Sequence, residues 1–309
     1  MQNRHRLELT WLEDCIALAD SLNFSRAAAS RYVTQPAFSR RIQSLEEWLG
    51  TTLFERNRRG VDLTRAGEIF IKQAPELIRT LYALRNETLD AAGNAKPDII
   101  FSATHSLSFT FFPSLLRNNK TLARFGSFRL MSDSLTACER MLIQGDAHFL
   151  LCYYHPHMHI NLEQSRFLSV KMGQDMLLPY TGIEASSGQP VWVIGNRRKF
   201  PYLSFSAESG LGRIISNNAT VNKIKREMKI EFMADLAATL LAMVRDGEGI
   251  AWLPQMLAEA DVQGGLICPA APEHSGLNIP LDIRLYRSAT KMAVIMEELW
   301  EQLVEEQTK

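Results

Sequence analysis

At the N-terminus apolar positions return at helical spacing. Leu12, Cys15, Ala19 and Leu22 recur every third or fourth residue, which gathers them on one face of a helix. Thr10 and Glu13 have the spacing of a capping box at its start. Ser25 is placed to cap a second helix, in which Ala27 to Ala29 allow close approach. Thr34 is placed to cap a third, with Pro36 tolerated in its first turn. The buried stripe of that helix is Phe38, Ile42, Leu45 and Leu49. Thr51–Arg56 and Val61–Thr64 read as two strands around a turn at Asn57–Gly60. A long helix is then expected from a Thr64 cap to about Ala92. In it Phe70, Leu77 and Leu84 are seven apart, and Ala74, Leu81 and Thr88 interleave with them. Such a seam packs two helices along their length, or one helix onto its own domain. Pro75 predicts a bend in it, and residues 91–97 (AAGNAKP) read as a hinge.

Beyond Pro97 strands and helices alternate. Strands are expected at Asp98–Ala103, Ser127–Ser132 and Ala147–Tyr154, with helices near Ser106 and from a Ser134 cap to Gln144. A second set follows: strands at Gln174–Thr181, Trp192–Ile194, Tyr202–Ser206 and Glu231–Met233, with helices from about Ser209 to Asn222 and from Ala234 to Asp246. Gly249–Leu253 leads back to a strand at Leu281–Arg287 and a final helix from about Thr290 to Val304. This order predicts a mostly parallel α/β sheet. With 309 residues, 46% of them hydrophobic, the chain can bury more than one core.

The third helix carries a face with the chemistry of nucleic-acid contact. Gln35, Pro36, Ser39, Arg40 and Gln43 lie away from its apolar stripe. Glutamine pairs with adenine and arginine with guanine in the major groove, and a helix set across a short turn from another fits that groove. Ser25, Arg26 and Thr34 flank this face, and Arg56, Arg58 and Arg59 at the hairpin tip suit phosphates or a narrow minor groove. The whole chain balances 34 basic against 34 acidic residues. Locally, from Phe24 to Arg59, seven arginines stand against three glutamates, an excess of +4 that a dimer would double.

FSRAAASRYVTQPAFSRRIQSLEEWLGTTLFERNRRGVDLTRAG resembles the DNA-binding domain of LysR-type transcriptional regulators. The AA, QPAFSRRIQSLE, LG, LF-R and LT-AG elements occur in order. The resemblance implies a bacterial regulator with a winged helix-turn-helix at 1–64, a linker and dimerisation helix at 65–92, and an effector domain at 93–309. That last domain would have the shape of a periplasmic binding protein, with subdomain I at about 97–168 and 270–309 and subdomain II at about 169–269. Implied partners are double-stranded DNA, a small effector, further copies of the chain in a homodimer or tetramer, and RNA polymerase. Effectors of this family are mostly small metabolites, often organic acids.

In open α/β sheets ligands sit at the carboxyl ends of strands. Thr104, His105, Ser106 and Ser108 follow the first strand, Ser132 and Ser134 the second, and Ser204, Ser206 and Ser209 occupy the equivalent place in the other subdomain. As a set they suit a small anion or carboxylate; taken singly, each serves equally as a helix cap. Cys152-Tyr-Tyr-His155-Pro-His157-Met158-His159 is either a polar loop or a soft-metal site, but its spacing matches no zinc pattern and no metal is expected. The effector region distantly resembles the hypochlorite-responsive branch of the family, yet Leu211 and Leu236 stand where that branch would place a sensing methionine. An oxidant- or metal-responsive regulator is thus the alternative, and an enzyme or binding protein with an appended helix-turn-helix a more distant one.

Neither a P-loop nor HExxH nor GxSxG occurs, and Gly210-Leu211-Gly212 lacks the third glycine of a nucleotide fingerprint, so no enzyme and no cofactor is expected. Without an apolar run of ~18 residues no membrane span is expected. Glu8, Glu13 and Asp14 interrupt any signal peptide, and the four cysteines are scattered, so a cytoplasmic protein with reduced thiols is expected.

Overall fold

The computed structural model describes residues 7–57, 60–91, 98–156, 158, 160–162, 165–195, 199–206 and 209–307. The chain divides into two compact units, essentially residues 1–94 and 95–309. Most of the expected hinge, Arg58, Arg59, His157 and His159 lie outside the described residues.

The N-terminal unit packs three helices, α1 (Leu9–Ser21), α2 (Phe24–Ser30) and α3 (Gln35–Leu49), against a hairpin, β1 (Phe54–Asn57) and β2 (Gly60–Leu63), and the long helix α4 (Arg65–Ala91). Its core joins Trp11, Leu12, Cys15, Ile16 and Leu18 of α1 to Ala27, Ala28, Phe38, Ile42, Leu45, Leu53, Ala74 and Ile78. The α1 stripe therefore includes Trp11, Ile16 and Leu18, and Leu22 is not in it. Leu22 ends the helix in a left-handed turn and is exposed.

Caps differ from expectation in three places. Glu8 precedes α1, and the Thr10 hydroxyl only donates to Glu8 Oε2 at 3.4 Å, so no capping box forms. Asn23, not Ser25, caps α2, its Oδ1 accepting from Arg26 N at 3.0 Å, because the helix starts at Phe24, ahead of Ser25. Thr34 precedes α3 as expected but makes no side-chain cap bond. Thr64 does cap α4, its Oγ1 accepting from Gly67 N at 3.0 Å. Gly67 has to be glycine, since a Cβ there would lie 2.1 Å from the Leu53 carbonyl oxygen. Glu46 fixes the hairpin to α3: its Oε1 accepts from Leu53 N at 2.7 Å and Phe54 N at 3.1 Å.

The seam of α4 is divided between two roles. Ala74 and Ile78 are buried in the head, with Phe70, Ile71 and Tyr82 packed beside them. Leu77, Leu81 and Leu84 are 57%, 48% and 58% exposed. Pro75 lies inside the helix, where it cannot donate to the Ile71 carbonyl.

The second unit begins with β3 (Asp98–Thr104), α5 (His105–Phe109), α6 (Phe112–Asn118), β4 (Ser127–Asp133), α7 (Leu135–Gln144), β5 (Phe149–Tyr154) and β6 (Phe167–Gly182). It continues with β7 (Phe200–Phe205), α8 (Gly210–Asn217), α9 (Ala219–Lys223), β8 (Met228–Ala234), α10 (Ala237–Arg245) and β9 (Ala251–Pro254). It closes with α11 (Gln255–Gln263), β10 (Ile267–Pro269), β11 (Ile279–Ser288) and α12 (Val294–Glu306). The sheet is mixed, which corrects the mostly parallel expectation. In it β3–β4 and β3–β5 are parallel, whereas β6 runs antiparallel to β9, β10 and β11, and β11 antiparallel to β5; β7 and β8 form a separate parallel pair. β6 is the shared strand. Phe167 to Leu177 pair with β11 on one side of the unit, and Leu177 to Gly182 with β9 and β10 on the other.

Further differences have local causes. β6 starts at Phe167, not Gln174, because its first half is stitched by polar cross-strand pairs that hide its apolar alternation. Lys171 Nζ lies 2.7 Å from Asp282 Oδ1, and Arg284 Nη1 donates to Ser169 Oγ at 3.1 Å. Trp192–Ile194 is not a strand. Its bonds go to scattered partners: Trp192 N to Thr181 Oγ1, Trp192 Nε1 to the Gly247 carbonyl and Ile194 N to the Ala270 carbonyl. The helix expected from Ser209 to Asn222 is two helices, broken where Asn218 turns extended and its Oδ1 accepts from Thr220 N and Val221 N. Cys152 and Tyr153 are buried inside β5, not part of a polar loop, and Pro156 follows in a turn. Among the described residues no helix is long and apolar enough to cross a membrane.

Candidate functional sites

In the N-terminal unit α3 presents Thr34, Gln35, Pro36, Arg40 and Gln43 to solvent, with Ser39 half-buried between them. Ser25 and Arg26 are exposed at the start of α2, and Arg26 Nη2 donates to the Ser21 carbonyl at 2.9 Å. Tyr32, in the turn between α2 and α3, is 97% exposed and sits at φ +56°.

The local arginine excess is smaller at this face than the sequence suggests, because two arginines are structural. Asp14 is fully buried, and its carboxylate accepts from Arg31 Nε at 2.8 Å and Arg41 Nη1 at 3.2 Å. Arg31 also pairs with Glu13. The carboxylates Asp14 and Glu13 hold the Arg31 guanidinium above its usual range, against the pull of burial. These pairs clamp α1 onto α2 and α3, and so fix how α3 is presented.

In the second unit a cavity opens where strand ends of the seven-stranded sheet meet those of the β7–β8 pair. One side supplies Thr104, His105 and Ser106 after β3, Asp133, Ser134 and Leu135 after β4, and Tyr153 of β5. Phe205, Ser209, Gly210, Leu211, Asp235 and Ala237 complete it from the other. The N-termini of α7, α8 and α10 all border it. The rim is already joined on one side. Arg213 Nη2 donates to Thr136 Oγ1 at 2.5 Å, and a Cβ on Gly210 would come within 3.0 Å of Leu135 Cδ2.

Of the residues expected here from sequence, Thr104, His105, Ser106, Ser134 and Ser209 line the cavity. Ser132 and Ser108 instead form a hydrogen-bonded chain beside it: Ser132 Oγ donates to Ser108 Oγ at 3.0 Å and lies 3.1 Å from His105 Nδ1. Ser204 is buried and donates to the Phe205 carbonyl at 3.0 Å, and Ser206 is bonded to Asp235. Neither lines the cavity: Ser204 points away from the side of β7 that Phe205 turns to it, and Ser206 lies past the strand end.

Sequence reasoning missed Asp133, Asp235, Tyr153 and Phe205. Asp133 is the last residue of β4 and Asp235 follows β8, the same strand-end signal that flagged the serines. Asp133 Oδ1 accepts from Ser134 N at 2.6 Å. Tyr153 Oη donates to Asp175 Oδ2 at 2.6 Å, and Asp175 Oδ1 accepts from Met176 N at 2.7 Å and Met256 N at 3.2 Å. Burial pushes the Tyr153 hydroxyl well above its ordinary value, and the Asp175 charge adds to this. Burial also raises the Asp175 carboxyl, opposed by its hydrogen bonds from Tyr153 and the backbone. Among the described residues no three His, Cys, Asp or Glu side chains gather to hold a metal ion.

These features agree with comparisons to known proteins. Residues 9–68 match the bacterial regulatory helix-turn-helix protein model of the lysR family, and residues 93–308 match the LysR substrate binding domain. The chain is 29% identical to the HTH-type transcriptional regulator YjiE of Escherichia coli (strain K12), over 97% of this chain and 95% of that protein. Full-length HypT from Salmonella typhimurium, a hypochlorite-specific LysR-type regulator, is 29% identical with a TM-score of 0.58, over 98% of this chain and 99% of that one. Vibrio fischeri DarR, solved in complex with DNA, is 25% identical with a TM-score of 0.56, over 97% of this chain and 99% of that one. The chain belongs to the LysR family of bacterial transcriptional regulators.

Proposed function

We propose that the chain is a cytoplasmic, non-catalytic regulator that reads an operator with the exposed face of α3 and changes its DNA-bound arrangement when a small effector enters the cleft. Gln35, Arg40 and Gln43 are assigned to base edges, and Ser25, Arg26, Thr34, Pro36 and Ser39 to the adjoining backbone and groove wall. Arg56, Arg58 and Arg59 are assigned to phosphates or the minor groove. The solvent-facing Leu77, Leu81 and Leu84 of α4 support a homo-oligomer joined along that helix. What carries the effector reading is the cavity itself: hydroxyls, carboxylates and helix N-termini from both halves of the second unit face one space.

Leu211, which lines that space, and Leu236 carry no sulfur, so the hypochlorite specificity described for HypT is not assigned to this chain. Operator fragments selected from random duplexes, titrated with the full-length chain at several salt concentrations, test the DNA reading. Binding that does not discriminate the selected fragment from random duplex would reject it. Thermal-shift screening of metabolites against the full chain and Gly210→Trp, which crowds the cleft, tests the effector reading. A ligand whose effect survives Gly210→Trp binds elsewhere.

A further inference from the structure

We infer that the effector carries a protonated amine, held between Asp133 and Asp235; this rests on the reading that the cleft is the effector site. The lining holds two carboxylates and no lysine or arginine. Its imidazole, His105, is engaged by the Ser132 hydroxyl. Arg213 reaches across the rim to Thr136 and is not part of the lining. A space bounded this way favours a cation over an anion.

The polar atoms that remain point the same way. One oxygen of Asp133 accepts from the adjacent Ser134 N, and one oxygen of Asp235 accepts from the Ser206 hydroxyl. The second oxygen of each has no hydrogen-bond partner among the described residues. The Thr104 hydroxyl is shut off from solvent and has no partner either, although polar atoms so placed are nearly always satisfied. An ammonium offers three donors, and these three oxygens are acceptors. Asp133 and Asp235 come from opposite halves of the unit, so one ammonium bonded to both would favour the closed arrangement. A carboxylate on the same ligand has a place at the N-termini of α7, α8 and α10, which keeps an amino acid-like skeleton within the class.

The test uses the full-length chain and three matched sets of probes. These are the common amino acids, the amines left when they lose the carboxyl group, and the acids left when they lose the amino group. Melting temperature is read for wild type, Asp133→Asn, Asp235→Asn and Gly210→Trp. Asparagine keeps the acceptor oxygen that each aspartate uses within the fold, so only the charge is removed. The expected result is stabilisation by an amine-bearing probe and none by its nitrogen-free partner. Its apparent Kd should weaken by roughly 10- to 100-fold in each Asn variant. A nitrogen-free acid that binds equally well to wild type and both Asn variants, but not to Gly210→Trp, overturns the amine and leaves the cleft reading standing. No stabilisation by any amine-bearing probe also overturns the amine. An amine that binds all four proteins alike overturns the cleft reading itself.

Discussion

Tyr153 donates its hydroxyl to Asp175 across 2.6 Å, joining a wall of the cleft to the strand shared by both halves of the second unit. The same carboxylate accepts from the Met256 amide at the start of α11. Tyr153→Phe removes the donor and leaves the half-buried Asp175 with one bond fewer. The expected cost is about 1–3 kcal/mol of unfolding free energy, read by chemical denaturation of the effector domain transition. Operator affinity without effector should not change, since Tyr153 lies outside the DNA-binding unit. A loss under 0.5 kcal/mol, on the order of a neutral surface change, would show that the bond is dispensable.

Asp175 also makes a pH prediction. Its folded carboxyl titrates above the ordinary value of 3.8, so the folded state holds that proton more tightly than the unfolded chain. The associated stability is complete below the ordinary carboxylate value and is lost as pH rises through the raised folded value. Asp175→Asn should flatten that fall. Denaturation curves for both proteins, stepped through the mildly acidic range, check it, and parallel pH profiles would contradict it.

On the DNA side, Arg40→Ala and Gln35→Ala should each weaken operator binding by about 1–3 kcal/mol, with a smaller effect on random duplex. Equal losses on both duplexes would remove these side chains from base reading. Arg41→Ala should behave differently. It strips a partner from the buried Asp14, so it should lower the stability of the head before it alters sequence preference.

Leu81→Asp should yield a folded chain that fails to associate. The Leu81 side chain is 48% exposed and is not in the head core, so the charge costs little within one copy and much between two. Sedimentation of an intact oligomer would place the contact elsewhere.

Thiol labelling of the native protein should reach Cys268 first. Cys15, Cys138 and Cys152 are buried, and burial pushes the Cys138 thiol up to about 12, so its thiolate is scarce at neutral pH. Mass spectrometry after brief alkylation would show the order. Early modification of Cys152 would mean that β5 opens readily.

The head was legible in sequence because each of its signals is local. The Phe38, Ile42, Leu45 stripe and the Thr64 cap involve residues within one or two turns, and both occur as read. The second unit was legible in its alternation but not in its joints. β6 hides its first half behind Lys171 and Ser169, and α11 buries only Ala258 and Asp261, too narrow a stripe to announce a helix. The cleft was half legible. Residues following β3 and β4 could be placed by rule, but which side of β7 faces the cleft depends on register against β8, and that misplaced Ser204.

A strand that serves both ends of one sheet also limits what the effector can do. β6 pairs with β11 at one end and with β9 and β10 at the other without a break in the chain. Turning the two halves against each other therefore winds or unwinds that strand, as in a torsion bar. The signal leaving this unit should be a small rotation, spread over several residues and springing back when the effector departs, and not a wide swing about a single loose joint.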